Sequence, residues 1–282
     1  MNILVTGGAG FVGTNLVRSL LHKGHTVVSV DNYSTGLVAN HIDGCKYIDM
    51  DIRNIYDYSS WGNFDLVYHM AAVARIQPSF KHPITYFETN ANGTLSLANM
   101  CSKQNIPIIY AGSSSYHSGK FKNPYTYSKA IGEEVLELFS LNFGLKYSIA
   151  RFYNVYGPNQ LLEGGYTTLI GRWLANIEKG VSCEIYGDGE QTRDFTHVDD
   201  IVDALLLIME KEVYGEIFEL GRGNNISVNE VAAMLNIDPV YKPAKIGEAR
   251  DTLCDTSLAT KLLGWEPKIN LEDYLKKLQY EN

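Results

Sequence analysis

Two spacings of apolar residues alternate along the first half of the chain. Short aliphatic and β-branched runs at residues 3–6, 26–30, 46–49, 66–69, 106–111 and 147–151 have the length and composition of buried strands. Between them, residues 14–22, 86–104 and 127–143 repeat apolar positions at helical spacing. Strands alternating with helices in this way predict an α/β fold, a doubly wound parallel sheet with helices on both faces. From Pro158 the pattern loosens. A helix is expected over 168–179, a short strand over 184–186 and an apolar helix over 198–209, behind the acidic pair Asp199–Asp200. Helices at 257–263 and 271–279 follow. No repeat or low-complexity linker interrupts the chain.

The first strand runs into a cluster of glycines and then into a helix whose apolar face carries Val12, Leu16, Leu20 and Leu21. Gly8, Gly10 and Gly13 fit G-x-G-x-x-G, and Gly7, Gly10 and Gly13 fit the looser G-x-x-G-x-x-G. Such glycines allow a tight turn, the approach of backbone N–H groups to a pyrophosphate, and close packing of helix on strand. The pyrophosphate would sit on the helix N-terminus, where unpaired N–H groups and the helix dipole favour an anion. The second strand ends at Asp31, 18 residues after Gly13. An acid there is placed to bind the adenosine ribose 2′-hydroxyl, which favours NAD over NADP. The fold is therefore expected to be of Rossmann type. The expected division is an NAD-binding domain over residues 1–160 and a smaller C-terminal substrate-binding lobe over 161–282, with about 193–220 packing back on the first.

Composition narrows the partners. The chain of 282 residues is 45% hydrophobic and 20% charged, as in ordinary soluble globular proteins, with a net charge of −8. No basic cluster appears, so nucleic acid is not an expected partner. No apolar run is long enough to span a bilayer and the N-terminus carries no signal-peptide pattern, so a cytoplasmic, membrane-free location is expected. Cys45, Cys101, Cys183 and Cys254 lack metal-ligand or disulfide spacing, the histidines form no ligand set, and no metal is expected.

The acid/base candidate is Y-x-x-x-K, which puts a phenol and an ammonium on one helix face. A neighbouring cation lowers the phenol pKa and makes it a proton carrier near neutrality. Three matches occur: Tyr116/Lys120, Tyr125/Lys129 and Tyr241/Lys245. Pro243 bars a regular helix in the last and Gly119 breaks the first. Only Tyr125/Lys129 leads into an apolar helical repeat (Ile131, Val135, Leu138, Phe139), with Pro124 at a position compatible with a helix start.

Together with Gly7–Gly13 and Asp31, the HMAA at 69–72 and the PYTYSK at 124–129 make the chain resemble the extended short-chain dehydrogenase/reductase family of nucleotide-sugar epimerases and dehydratases. The resemblance continues through NANGT at 90–94, RFYNVYGP at 151–158, YGDGEQTRDF at 186–195 and LGWEP at 263–267. It implies NAD-dependent epimerisation at C4 of a nucleotide-activated hexose, of the UDP-glucose/UDP-galactose type, through a transient 4-ketosugar. The alternative within the family is a nucleotide-sugar 4,6-dehydratase or decarboxylase. It also implies a homodimer built on the helices over 86–104 and 127–143.

The same resemblance assigns residues. Tyr125 and Lys129 would act with a serine at the end of the preceding strand, Ser113, with Ser114 in reserve. Phe11, Val12, Asn32, Asp51, Ile52, Ala71 and Asn90 would join Gly7, Gly10, Gly13, Asp31, Tyr125 and Lys129 around the cofactor. Asn154 and Arg193 would hold the nucleotide diphosphate, since a guanidinium binds phosphate oxygens in pairs. Lys245 stands where the family carries a second arginine, and Arg250 is a candidate to supply that contact from the other side. The loop after Ser113 is shorter than in the family, and the Asp-Glu pair of the dehydratases is replaced by Ser114 and Ser115. That replacement argues against dehydration.

Overall fold

A computed structural model of the chain describes residues 1–55 and 61–281. Its centre is a seven-stranded parallel sheet. In chain order the strands are β1 (Asn2–Thr6), β2 (Thr26–Asp31), β3 (Lys46–Asp49), β4 (Leu66–His69), β5 (Ile108–Ser113) and β6 (Tyr147–Phe152), with Ile217–Leu220 as the seventh. Across the sheet they run β3, β2, β1, β4, β5, β6 and then Ile217–Leu220, so the order reverses between β1 and β4. In doubly wound sheets ligands bind at the carboxyl ends of the strands beside such a reversal.

Helices cover both faces. On one side α1 (Phe11–His22) packs with Val198–Glu210 over Ile3, Val5, Leu66 and Phe218. On the other, Gly93–Gln104 and Pro124–Phe143 cover Leu4, Val67, Ile108 and Ile149. The expected strands at 3–6, 26–30, 46–49, 66–69 and 147–151 all stand within a residue of their observed bounds. The strand expected over 106–111 begins at Ile108 instead, because Pro107 has no N–H to give the ladder, and it runs on to Ser113 beside Phe152. The seventh strand was not expected; it pairs in parallel with β6 and closes that edge of the sheet.

The helix expected over 86–104 is not continuous. Pro83–Tyr86 leads into a π-helical turn, Phe87–Asn92, before the regular helix from Gly93. Two groups hold that turn open. The Asn90 side chain bonds the backbone of Val73, and the Thr94 hydroxyl donates to the Asn90 carbonyl at 2.6 Å. π-turns of this kind gather at functional sites.

Beyond β6 the strands are short. Val155–Tyr156 pairs with Thr196–His197, Thr192–Asp194 with Asn225–Ser227, and Glu184–Tyr186 with Val240–Lys242. They frame a separate apolar cluster of Tyr156, Ile170, Trp173, Phe195, Val231 and Leu275.

Candidate active site

A cavity of about 900 Å3 opens along the carboxyl ends of the strands. Its floor at one end is the turn from β1 into α1. Gly7 has φ +72°, and a Cβ there would lie 2.8 Å from the backbone of Ala71. A Cβ on Gly13 would overlap the carbonyl oxygen of Gly7, so only glycine lets α1 approach the turn. α1 begins at Phe11, three residues before the expected start, and Gly10 caps it with no side-chain bond. The helix N-terminus carries no acid, and Phe11, Val12 and Gly13 line the cavity there. This is an anion cradle of backbone N–H groups.

Asp31 closes the adjoining wall at the end of β2. It is 7% exposed, and its carboxylate accepts from the N–H of Ala9 at 3.0 Å and of Tyr33 at 2.9 Å. Burial pushes its pKa up, and the two backbone bonds pull it back. Asn32, Ile52 and Ala71 line the same end. The cradle, the glycine clearances and the ribose-side acid fit a dinucleotide.

Two residues assigned to the cofactor have other partners. Asn90 is buried, its oxygen accepts the Val73 N–H, and its amide donates to Val73 O and Ser128 Oγ. Both amide hydrogens are thus spent inside the protein, and the side chain supports the wall instead of facing the ligand. Asp51 ion-pairs with Arg53 at 2.9 Å and accepts from Asn32 at 2.8 Å, which holds its pKa down to about 2. Neither residue lines the cavity. Position in the chain places these residues near the cofactor but does not set the direction of their side chains.

The middle of the cavity holds the expected tyrosine–lysine pair and the serine beside it. Asn123 caps the helix Pro124–Phe143 by accepting from Thr126 N–H at 2.8 Å, and Pro124 occupies the first turn. Tyr125 and Lys129 stand one turn apart at the cavity. The Tyr125 hydroxyl donates to Ser113 Oγ at 3.2 Å. Ser113 also shares a bond of 2.9 Å with Ser115 Oγ and accepts the Ser115 N–H. The hydroxyl that meets Tyr125 is therefore that of Ser113, while Ser114 lines the cavity beside it.

The pKa shifts differ from the expectation. Burial holds the Tyr125 phenol above its ordinary value, while the Ser113 bond and the charge of Arg75 pull it back. Lys129 is 4% exposed, lies 4.0 Å from the centre of the Tyr110 ring, and is brought down to about 7 by desolvation, against the charge of Glu133. A lysine so desolvated is only partly charged near neutrality, so the cation acting on the phenol is Arg75.

Behind Lys129 lies a buried ionic network. Arg151 binds Glu133 at 2.6 Å and Glu219 at 2.9 Å, and its guanidinium stacks 3.8 Å from the Tyr116 ring. His117 reaches Glu219 at 2.8 Å. Tyr116 and His117 belong to the short segment after Ser113, so this network anchors the shortened loop.

The far end of the cavity is cationic. Asn154, Arg193 and Lys245 line it as expected from the resemblance. Asn154 donates to Thr252 Oγ1, Arg193 to the carbonyls of Thr192 and Arg250, and the Lys245 ammonium lies 3.4 Å from the centre of the Tyr186 ring. Arg250 also borders the cavity, but its guanidinium pairs with Asp188 at 2.7 Å, so it is not a free second phosphate contact. Arg172 lines the wall instead, held by Thr167 Oγ1 at 3.1 and 3.0 Å. Neither Arg172 nor Arg75 belonged to a motif, and no sequence signal marked them. His69 is buried between Thr6 and Thr94 hydroxyls and kept neutral by desolvation, so it serves the wall. Among the described residues no cluster of acids, histidines or cysteines could hold a metal ion, and no helix is long and apolar enough to cross a membrane.

Residues 3–221 match the family model described as the NAD dependent epimerase/dehydratase family. The chain is 30% identical to a putative UDP-glucose 4-epimerase of Methanocaldococcus jannaschii, over 98% of this chain and 96% of that protein. It is 32% identical to a UDP-N-acetyl-alpha-D-glucosaminuronate decarboxylase of Bacillus cytotoxicus, over 81% of this chain and 77% of the relative. Among solved structures, the UDP-glucose 4-epimerase of Thermotoga maritima with UDP-glucose superposes with a TM-score of 0.92 at 34% identity, covering 98% of this chain and 96% of that one.

Proposed function

The chain belongs to the NAD-dependent epimerase/dehydratase family, and from that premise we propose that it inverts C4 of a nucleotide-activated hexose of the UDP-glucose/UDP-galactose type. The observation that carries this reading is the Tyr125 hydroxyl bonded to Ser113 Oγ between an anion cradle and a cationic wall. NAD, when bound in the cradle, would supply a reversible hydride acceptor for C4. Ser113 aligns the C4 hydroxyl, and Tyr125 takes its proton and later returns one. Lys129 holds the nicotinamide ribose. Asn154, Arg193, Arg172 and Lys245, which line the cationic end of the cavity, grip the diphosphate.

Elimination needs a carboxyl acid/base beside the serine, and Ser114 and Ser115 stand there. Glu133 is committed to Arg151, and Glu248 at the cavity wall is engaged by Gln77 at 3.0 Å. A decarboxylase is the second reading, supported by the likeness to the Bacillus cytotoxicus enzyme. A panel of UDP-, dTDP-, GDP- and CDP-sugars tests the proposal by mass spectrometry and NMR. A C4 epimer of unchanged mass supports it; a 4-keto-6-deoxysugar or a pentose makes the enzyme a lyase.

Cofactor choice follows from Asp31. A 2′-phosphate would meet a buried carboxylate, and no lysine or arginine follows it before Lys46. Arg53, at the same end, is already paired with Asp51 and Glu88. Like charges brought together cost several kcal/mol, so calorimetry is expected to give clearly tighter binding for NAD. Equal or tighter binding of NADP would contradict the assignment of Asp31.

The proposed assembly is a homodimer through the helices Gly93–Gln104 and Pro124–Phe143. These pack on each other and leave Leu95, Leu138, Leu141 and Phe143 between 43% and 79% exposed. A C2 pair would cover that apolar surface. Light scattering is expected to give twice 31.5 kDa; the monomer mass at micromolar concentration would count against it.

A further inference from the structure

Beyond the pull of its charge on the Tyr125 phenol, Arg75 has no role in the proton transfer or the diphosphate grip, yet it is built into the site at some strain. It precedes the helix Ile76–Lys81 with φ 85° and ψ 137°, a conformation that residues with a side chain seldom adopt. Strained backbone of this kind gathers where function requires a group in one place. The stretch is pinned from two sides. Val73 exchanges two hydrogen bonds with Asn90, and the Tyr86 hydroxyl donates to the carbonyls of Ala74 at 2.6 Å and Arg75 at 2.9 Å. The Tyr86 ring meets the Tyr125 ring edge-on, with centroids 6.1 Å apart. The residue that clamps the Arg75 backbone is thus also the packing partner of the acid/base tyrosine.

Arg75 Nε donates to the Tyr166 carbonyl at 3.0 Å, and among the described residues no carboxylate forms an ion pair with the guanidinium. Burial and the like charge of Arg172 both disfavour its cation, with Tyr125 and Glu248 opposing them. A desolvated guanidinium whose terminal amino groups make no hydrogen bond among the described residues favours a planar anion bound in two-pronged fashion.

Its place identifies which part of the substrate it meets. Tyr125 must touch the C4 hydroxyl, and the groups next to C4 are the substituents of C3 and C5, whereas the diphosphate leaves from C1 across the ring. We infer that Arg75 is a specificity-determining residue that binds a carboxylate carried by the hexose beside C4. The acid would be a C6 carboxylate, as in a hexuronate, or the carboxylate of an ether substituent on C3. This rests on the C4 reading above and refines it, because it adds an acid group to the preferred hexose.

The test is binding, read by calorimetry on the NAD-loaded protein with UDP, UDP-glucose, UDP-glucuronate and UDP-N-acetylmuramate. One acidic sugar is expected to bind tenfold or more tighter than UDP-glucose, and which of the two does so separates the C6 from the C3 position. R75G removes the guanidinium and relieves the positive φ, so its melting temperature should not fall below that of the parent. It is expected to shift the ratio of dissociation constants between the acidic and the neutral sugar by tenfold or more towards the neutral one, and R75K should keep part of the preference. A uniform loss across UDP, UDP-glucose and the acidic sugars would assign Arg75 to the diphosphate and overturn the inference, as would no acidic preference in the parent. Product analysis keeps the two claims apart. Loss of CO2 from bound UDP-glucuronate would overturn the epimerase reading while the carboxylate site stood. Epimerisation of neutral sugars without an acidic preference would do the reverse.

Discussion

Tyr125→Phe is expected to lower turnover by roughly a hundredfold or more while leaving NAD affinity nearly intact. The substitution removes one oxygen and little else. The phenyl ring keeps its edge-on contact with Tyr86, and the helix cap at Asn123 is untouched. Ser113 Oγ loses the bond from the phenol but retains both bonds to Ser115, so no buried polar atom is stranded. What disappears is the phenol hydroxyl proposed to carry the proton, bonded to Ser113 in the parent. Steady-state kinetics beside calorimetric titration of NAD separates the effects, and a Tyr125→Phe enzyme with parental turnover would overturn the site assignment.

Lys129→Met is expected to do two opposite things. It should depress NAD affinity, and turnover with it, because Lys129 is proposed to hold the nicotinamide ribose, and it should make the fold more stable at neutral pH. The lysine is 4% exposed and its pKa is about 7 against an ordinary 10.5, the mark of a cation held in a dry site. Removing it leaves Glu133 paired with Arg151 at 2.6 Å, so no carboxylate is orphaned. The gain is on the order of a few kcal/mol, since each unit of pKa displacement is about 1.4 kcal/mol. Its sign with pH follows from proton binding. Below about 7 the lysine is charged in both folded and unfolded chains, and the full cost of burying it is present. Between about 7 and 10.5 the unfolded chain holds a proton the folded one lacks, so the parent gains stability as pH rises. Above that window neither form is charged and the advantage of methionine is gone. Denaturant unfolding at several pH values reads this directly; a variant less stable than the parent at pH 6 would contradict it.

The parallel sheet was legible because its strands are buried on both faces and so read as uninterrupted apolar runs. The seventh strand, Ile217–Leu220, carries the polar Glu219, which binds Arg151, and that pattern hid it. The glycine turn, Asp31 and the tyrosine–lysine pair were legible because backbone clearance and helical spacing are local properties. Side-chain direction, by contrast, is not legible in spacing. Asn90 and Asp51 stand at the assigned positions but spend their hydrogen bonds on Val73, Ser128, Arg53 and Asn32. Arg250 turns to Asp188, and the cations that face the cavity include Arg172 and Arg75, which lie outside any motif. The effect of burial on the tyrosine is equally hidden from spacing. Spacing puts an ammonium on the right face but says nothing of the desolvation that discharges it.

The central claim is that the protein removes hydrogen from C4 and returns it to the same carbon. The most direct measurement follows UDP-galactose deuterated at C4 through the NAD-loaded enzyme in ordinary water. The account predicts UDP-glucose that retains its deuterium at C4, with no lasting absorbance from reduced cofactor and no change in mass. Loss of the label to solvent, stoichiometric accumulation of NADH, or a product lighter by water would contradict it.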